Sequence, residues 1–391
     1  MVNDIPKPTK LKQNKDITIL IFVTILLLAM GIMAVQSCSH MVNLNAPYDC
    51  ITKHLANIFI GFWACLIASF IDYKKYQNKN LLFFIITTIL LILPAFFPAH
   101  KGAHRWIKLI FFDFQPSEIA KLVMVIIMAD FIRRNKLYIN TWEKNLFPVI
   151  YVVVFCSIIL LLQRDLGSTA LIFGLWTALL FIAKIDTKRI LIISLVATLG
   201  LSAFIMKEEY RRTRVITYCK QMVHLFSSNK ANNENKETVK AAKKLDDDSY
   251  NADMAFAAFG SGGLFGKGPG KSETKLRFLP EKQTDYIFCI IGEEYGLIRG
   301  TLVVVLLYIV FTLTALSINK LCPDEFGKYL SFGITLIITG QALINMGMTT
   351  GVLPSKGFPL PFISYGGSSM LLNSYMLGIL INIARNNKKQ L

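Results

Sequence analysis

Long runs of apolar residues separated by short polar segments dominate this chain. A helix needs roughly 20 mainly apolar residues to cross the hydrocarbon core of a bilayer. Ten runs reach or approach that length, at about residues 17–37, 55–71, 81–98, 117–132, 147–162, 168–183, 190–206, 286–317, 328–348 and 361–384. The pattern predicts an all-α polytopic membrane protein with ten transmembrane helices and a large extracellular loop between helices seven and eight.

Composition agrees with this pattern and adds a charge that needs an explanation. Of 391 residues, 53% are hydrophobic and 17% are charged. The 42 Lys and Arg outnumber the 25 Asp and Glu, which gives a formal net charge of +17. A basic balance is typical of proteins that bind nucleic acid, an anionic membrane surface or an anionic substrate. Because the chain has no zinc-binding spacing and no RNA-binding signature, we expect no nucleic-acid partner.

The basic residues cluster in alternate short loops, which predicts the topology. By the positive-inside rule these loops are cytoplasmic, and so are the tails at 1–16 and 385–391. The first apolar run is longer than the roughly 7–15 residues of a signal-peptide core, so we expect it to be retained. The predicted segments are helices one to seven at 17–206, an outer loop at 207–285 and helices eight to ten at 286–384. Within the outer loop, 227–251 is polar and expected to be mobile, and 260–285 is Gly-rich and basic.

Ionisable residues near membrane depth are the first candidates for function, because each costs a few kcal/mol unless it is paired or hydrated. Glu118 and Lys121 stand at i,i+3 and are predicted to form a structural ion pair on one helix face. Arg105, beside Trp106, is either a binding group for a lipid phosphate or an interface anchor. Asp165 is either the N-cap of the next helix or a site residue.

The Gly-rich segment from residue 260 to 294 carries more candidates. A Walker motif ending at Lys271 would require glycine where the chain has Phe265, so a P-loop is excluded. The backbone amides and basic side chains, Lys267 and Lys271 among them, favour anion binding, with a plain flexible loop as the alternative. Asp285 follows, at the mouth of span eight, as a general base or acid or else as a helix N-cap.

Two further features concern the predicted outer face. The segment 347–369 is rich in Pro, Gly and small polar residues, and Lys356 is its only charge. Non-helical backbone at this depth is tolerated where it is buried in protein or lines a wet cavity. Cys38 and Cys50 both fall in the first outer loop, and whether they form a disulfide stays open.

Several strings identify a family when they are taken together. They are GAHRWIKL (102–109), FQPSE (114–118) followed by Lys121, DLGS (165–168), GSGGLFGKGPG (260–270), FLPEKQTDYIF (278–288), IIGEEYGLI (290–298) and LPSKGFPLPFISYGGSS (353–369). In this order they resemble the SEDS family of cell-shape, division and sporulation glycosyltransferases. That family has ten spans, cytoplasmic termini and a large outer loop after span seven, which is the topology predicted above.

The resemblance implies a peptidoglycan glycosyltransferase of the bacterial cytoplasmic membrane that polymerises lipid II at the outer face. Asp285 matches the family's essential carboxylate, implied to deprotonate the GlcNAc 4-hydroxyl of one lipid II. That oxygen attacks C1 of the MurNAc in the lipid-linked glycan with inversion, and undecaprenyl pyrophosphate leaves. Candidates for holding the pyrophosphate or sugar share membership of these motifs: Arg105, Lys356, Lys267, Lys271, Asp165 and Ser364.

The implied partners are a class B penicillin-binding protein, which is a transpeptidase, and other divisome membrane proteins. No cofactor is implied with certainty, and a divalent metal at the pyrophosphate stays open. GPGKS and SYGGSS favour the cell-division members over the elongation members. In contrast, Arg164 stands where many relatives have Pro, and 227–251 matches no family motif. Two other functions stay possible: a flippase or transporter for a lipid-linked sugar, which would depend on Glu118 or Glu294 more than on Asp285, and a scaffold that only recruits partners.

Overall fold

The computed structural model describes residues 10–39, 48–97, 105–108, 113–136, 147–163, 165–192, 194–195, 247–274, 283–353 and 357–386. These ranges are mostly helical, which confirms the predicted helical class. The helices are α1 (Lys10–Ser39), α2 (Asp49–Phe70), α3 (Asn80–Ile92), α4 (Pro116–Asn135), α5 (Phe147–Leu162), α6 (Leu166–Ile182), α7 (Asp247–Gly262), α8 (Ile287–Gly296), α9 (Leu302–Lys320), α10 (Glu325–Thr349) and α11 (Gly367–Asn386). A short antiparallel hairpin, β1 (Ile107–Lys108) with β2 (Asp113–Phe114), precedes α4.

Five helical stretches are long and apolar enough to cross a membrane: Asn14–Ser39, Asp49–Phe70, Ile287–Lys320, Glu325–Thr349 and Gly367–Asn386. Two shorter apolar helices, at Asn80–Phe96 and Gly167–Ile182, add to them. The chain is therefore a multi-pass membrane protein. The count of ten spans and the position of the large loop stay predictions, because most of span seven (190–206) and residues 207–246 lie outside the described residues.

The centre of the bundle is formed by α4 and α10, with α11 packed along α2. Most side chains of α4 are buried, including its polar ones. At Gly378 of α11, an added Cβ would lie 2.3 Å from the backbone oxygen of Cys65 in α2. Since helices in a membrane associate through close backbone approach at small residues, Gly378 explains how α2 and α11 come so near. In contrast, α2 exposes Phe59, Phe62 and Trp63, as expected of a lipid-facing surface.

Span eight, predicted at 286–317 and long enough to be tilted or to include a helix that projects beyond the lipid, is divided in two. Length and hydropathy alone make Ile287–Lys320 a single stretch of 34 residues. However, Gly296 has a φ of 78°, and a π-helical turn at Leu297–Thr301 separates α8 from α9. An added Cβ on Gly300 would lie 2.7 Å from the backbone oxygen of Ile291, so the chain folds back on itself. The 19 residues of α9 rise about 28 Å at ~1.5 Å per residue, enough to cross the hydrocarbon core without α8.

Helix α8 lies across one end of the bundle. Before its first residue, the backbone oxygen of Asp285 accepts from Asn345 Nδ2, one turn from the end of α10, at 2.8 Å. Near its last residue, Glu294 accepts from Ser37 Oγ in the last turn of α1. We call this end of the molecule, where α1 and α10 finish, the Asp285 end. Position along span eight predicts that Glu293 and Glu294 lie two to three turns deeper in the membrane than Asp285, but Glu294 lies at the same end of the bundle as Asp285.

Residues 263–268 of the Gly-rich segment dock on the break between α8 and α9. Four hydrogen bonds hold them there: Lys267 N to Glu293 O (3.0 Å), Gly268 N to Glu294 O (2.9 Å), Leu297 N to Gly263 O (2.9 Å) and Ile298 N to Leu264 O (3.1 Å). A broken helix leaves backbone groups that must be satisfied by other parts of the protein. At Gly266, where φ is 82°, an added Cβ would lie 2.3 Å from Glu294 O. Close backbone contact thus accounts for this glycine, which belongs to a folded cap on the helix break.

Candidate active site

Asp285 belongs to a short segment whose backbone is fixed from two sides. Three consecutive carbonyl oxygens accept hydrogen bonds from residues after or within α10: Gln283 O from Tyr365 N (2.9 Å), Thr284 O from Ser364 Oγ (2.5 Å) and Asp285 O from Asn345 Nδ2 (2.8 Å). We call these three bonds the backbone clamp. Ser364 Oγ also accepts from Leu360 N at 2.7 Å, so its hydroxyl is held in place. The clamp makes the position of Asp285 depend on the fold of the 357–366 loop.

The Asp285 side chain is half-buried and lies against that loop. An added Cβ on Gly357 would be 2.7 Å from Asp285 Oδ2. Tyr286 occupies the N-cap position of α8, one residue after Asp285, so the alternative of Asp285 as N-cap is wrong. Lys356, the candidate cation beside Gly357, lies outside the described residues. The carboxylate is therefore held next to the loop of the LPSKGFPLPF motif, where a reacting group could meet it.

A second polar cluster joins the ends of α4, α5 and α6. Asp165 caps α6, since its Oδ1 accepts from Ser168 N at 3.1 Å. Its Oδ2 accepts from Gln115 Nε2 and Ser117 Oγ, both at 3.2 Å. Arg105 Nε donates to Gln163 O at 3.0 Å. Of the two alternatives for Asp165, the structure has the cap, and Arg105 lies in the same cluster with part of its guanidinium bonded to protein.

The predicted ion pair lies inside the bundle. Lys121 Nζ is 2.7 Å from Glu118 Oε1, and the two side chains are 1% and 4% exposed. Gln341 Nε2, from α10, donates to the other carboxylate oxygen of Glu118 at 3.4 Å. The pair therefore links α4 to α10 one turn along α10 from Asn345.

Lys267 has partners of its own at the Gly-rich segment. Its Nζ lies 3.1 Å from Glu293 Oε1 and 3.4 Å from Glu273 Oε1. Although partial burial opposes the charged form, the hydrogen bonds from Lys267 to these two carboxylates raise its pKa above the ordinary value. The fully buried Glu293 also accepts from Ser272 Oγ at 2.5 Å and from Glu273 N at 3.0 Å. This geometry makes Lys267 the counter-ion of Glu293, whereas Lys271 is exposed.

Cys38 and Cys50 are both described and do not form a disulfide; Cys38 is buried against α8, and Cys50 Sγ lies 3.5 Å from Gln283 Oε1. Within the described ranges, no group of three or more His, Cys, Asp or Glu side chains is placed to hold a metal ion. Asn345 is not among the predicted site residues, because in the apolar spans the prediction rests on ionisable groups; its signal in the sequence is an amide in an apolar span.

Comparison with known proteins gives the family. A family model described as "Cell cycle protein", which covers FtsW, RodA and SpoVE, matches residues 17–389. The chain is 30% identical over 382 residues to a probable peptidoglycan glycosyltransferase FtsW of Geobacter metallireducens, covering 96% of each chain. It is 31% identical to the protein of the same name from Coxiella burnetii, with 93% of this chain and 95% of that one covered. Stage V sporulation protein E of Bacillus subtilis is 30% identical, with 97% and 100% covered.

Solved structures show the same fold. A chain from the study of a peptidoglycan synthase complex that coordinates polymerization and crosslinking superimposes with a TM-score of 0.74 at 19% identity, covering 94% of this chain and 97% of that one. The rod shape determining protein RodA of Thermus thermophilus superimposes with a TM-score of 0.66 at 21% identity, covering 94% and 96%. The chain therefore belongs to the family of FtsW, RodA and SpoVE, which is the SEDS family.

Proposed function

We propose that this protein is a peptidoglycan glycosyltransferase of the FtsW type, which polymerises lipid II into glycan strands with Asp285 as the general base. One observation carries the proposal: the Asp285 carboxylate, in the family's TDYIF string, is set by the backbone clamp against the 357–366 loop. A fixed, half-buried carboxylate at the end of an apolar bundle suits proton abstraction from a sugar hydroxyl. The names of the relatives support the same reaction.

The chemistry requires a base and a site for an anion. Asp285 takes the proton of the GlcNAc 4-hydroxyl as that oxygen attacks C1 of the MurNAc on the lipid-linked glycan. The C1–O bond to undecaprenyl pyrophosphate breaks, and the α-linked donor becomes a β-1,4 product by inversion. Pyrophosphate leaves without a strong acid if cations hold its charge. Arg105, Lys356 and Lys271 are the proposed cations, and Lys267 is assigned to Glu293 because of the ion pair above.

The location of the reaction is proposed from the predicted membrane topology. We place the Asp285 end at the outer face of the cytoplasmic membrane and both termini in the cytoplasm, because the basic loops mark the opposite end as cytoplasmic. A class B penicillin-binding protein is the proposed partner, supported by the structural likeness to a chain from a complex that couples polymerization to crosslinking. The similarity to proteins named FtsW supports a role in cell division.

The test is polymerisation by the purified full-length chain. Fluorescent lipid II is incubated with the protein in detergent, alone and with its class B partner, and the products are separated on a gel. We expect a ladder of glycan strands. In parallel, the protein is reconstituted in liposomes and movement of lipid II between leaflets is measured. Movement of lipid II without any ladder would favour a flippase and would overturn the proposal.

A change at Gly357 should affect the reaction and spare the fold. Gly357→Ala places a Cβ 2.7 Å from Asp285 Oδ2, closer than van der Waals contact allows, so the flexible carboxylate must move. We expect kcat to fall about 10- to 100-fold, since misplacement of a reacting group by ~1 Å costs up to that much.

The matched control is Gly366→Ala. Gly366 belongs to the same loop, and among the described residues an added Cβ there would meet only Ser369 Cβ, at an ordinary 3.7 Å. We expect this variant to keep wild-type kcat. Equal loss of activity in the two variants would mean that the loop, and not the carboxylate, responds to the added methyl group.

A further inference from the structure

Asn345 is a polar side chain in the apolar helix α10 and is 0% exposed. Its Nδ2 donates to two backbone oxygens, Asp285 O at 2.8 Å and Phe358 O at 2.6 Å. A buried amide costs free energy unless its hydrogen bonds are made. Asn345 donates both amide protons in hydrogen bonds that join two separate chain segments, the one before α8 and the one after α10.

These two segments lie on either side of the Asp285 carboxylate. Phe358 follows Gly357, whose Cα lies against Asp285 Oδ2. Asp285 O is the last carbonyl oxygen of the backbone clamp, and it belongs to the peptide group that leads into α8. Because one NH₂ group is bonded to both segments, Asn345 fixes the distance between the peptide that carries the carboxylate and the loop against which the carboxylate lies.

We infer that Asn345 is a positioning residue for Asp285, an inference that rests on the proposed role of Asp285 as the base. Without the amide, Asp285 O and Phe358 O would each lose the hydrogen bond from Asn345, and the peptide after Asp285 would be less restrained against rotation. Rotation of that peptide shifts the carboxylate with respect to the acceptor hydroxyl. Asn345 acts on the rate of proton abstraction through Asp285 and does not contact substrate.

The same fold contains a matched control at the opposite end of the bundle. Asn382 of α11 is also buried, at 5% exposure. Its Nδ2 donates to Ser69 O at 2.8 Å and its Oδ1 accepts from Tyr73 N at 3.0 Å, so it too bridges backbone groups. A change of Asn382 to leucine therefore removes another buried amide that bridges backbone groups, far from Asp285.

The experiment compares Asn345→Leu, Asn345→Gln and Asn382→Leu in the lipid II polymerisation assay, with thermal unfolding of each. We expect Asn345→Leu to lower kcat about 10- to 100-fold with KM within ~2-fold of wild type. We expect Asn345→Gln, which keeps the amide one methylene further out, to recover part of that loss. Asn382→Leu should lose a similar amount of thermal stability and keep kcat within ~2-fold.

The outcomes separate this inference from the proposed function. If Asp285→Asn stays active, the proposed base is wrong. If Asp285→Asn is inactive and Asn345→Leu keeps normal kcat, only the positioning role is overturned. A rise in KM with unchanged kcat in Asn345→Leu also overturns it, since that result indicates substrate binding. Should Asn345→Leu fail to fold, a fall of kcat in Asn345→Gln beyond that of Asn382→Leu supports the role, and equal kcat overturns it.

Discussion

Replacing Asp285 with asparagine should reduce glycan polymerisation by roughly 10²- to 10⁴-fold, the usual contribution of a general base. Asparagine has the same shape as aspartate but does not take up a proton at neutral pH. The backbone clamp holds Asp285 through carbonyl oxygens that the substitution leaves intact. The expected result is therefore a folded protein that binds lipid II and forms no visible glycan ladder.

Asp113→Asn is the matched control for this change. Asp113 is an exposed carboxylate on β2, which packs against α11. Its replacement removes the same charge from a residue outside the clamp, so we expect wild-type polymerisation. Polymerisation by Asp285→Asn at the wild-type rate would show that another group takes the proton, and the assignment of the active site would then be wrong.

The residues that sequence predicted well have roles that depend on short spacing. Glu118 and Lys121 are three residues apart, so any helix places them side by side, and the structure has them 2.7 Å apart. Asp165 directly precedes an apolar run, where a carboxylate can cap a helix, and it caps α6. Asp285 is indicated by its motif and by its position at the edge of an apolar run, and its role as the base is a proposal.

The features that sequence missed depend on contacts between distant segments. A hydropathy average passes over Gly296, whose left-handed φ ends α8 inside an apolar stretch. The Gly-rich segment was predicted to bind anions or to be flexible. Nothing in its composition reveals that the backbone of residues 263–268 pairs with residues 293–298. The role of Asn345 is not predicted from the sequence for a related reason. An amide in an apolar span becomes informative only when the carbonyl oxygens that it joins, 60 and 13 residues away, are known.

Removing the positive charge of Lys121 should destabilise the protein by about 3–5 kcal/mol, the usual cost of leaving one member of a buried ion pair alone. In Lys121→Met, Glu118 keeps only the contact from Gln341, at 3.4 Å, among its described side-chain partners in the bundle. We expect a large fall in the thermal unfolding temperature in detergent. The double change Glu118→Gln with Lys121→Met should recover most of it, because neither charge is then buried without a partner.

An exposed ion pair of similar spacing is the control that identifies burial as the cause. Lys53 Nζ lies 2.7 Å from Asp49 Oδ2 at i,i+4, the same distance as in the buried pair, but these side chains are 55% and 49% exposed. Surface pairs contribute about 0–1 kcal/mol, so Lys53→Met should unfold at nearly the wild-type temperature. If Lys121→Met also unfolds at nearly the wild-type temperature yet loses polymerisation, the buried pair serves the reaction and not the fold.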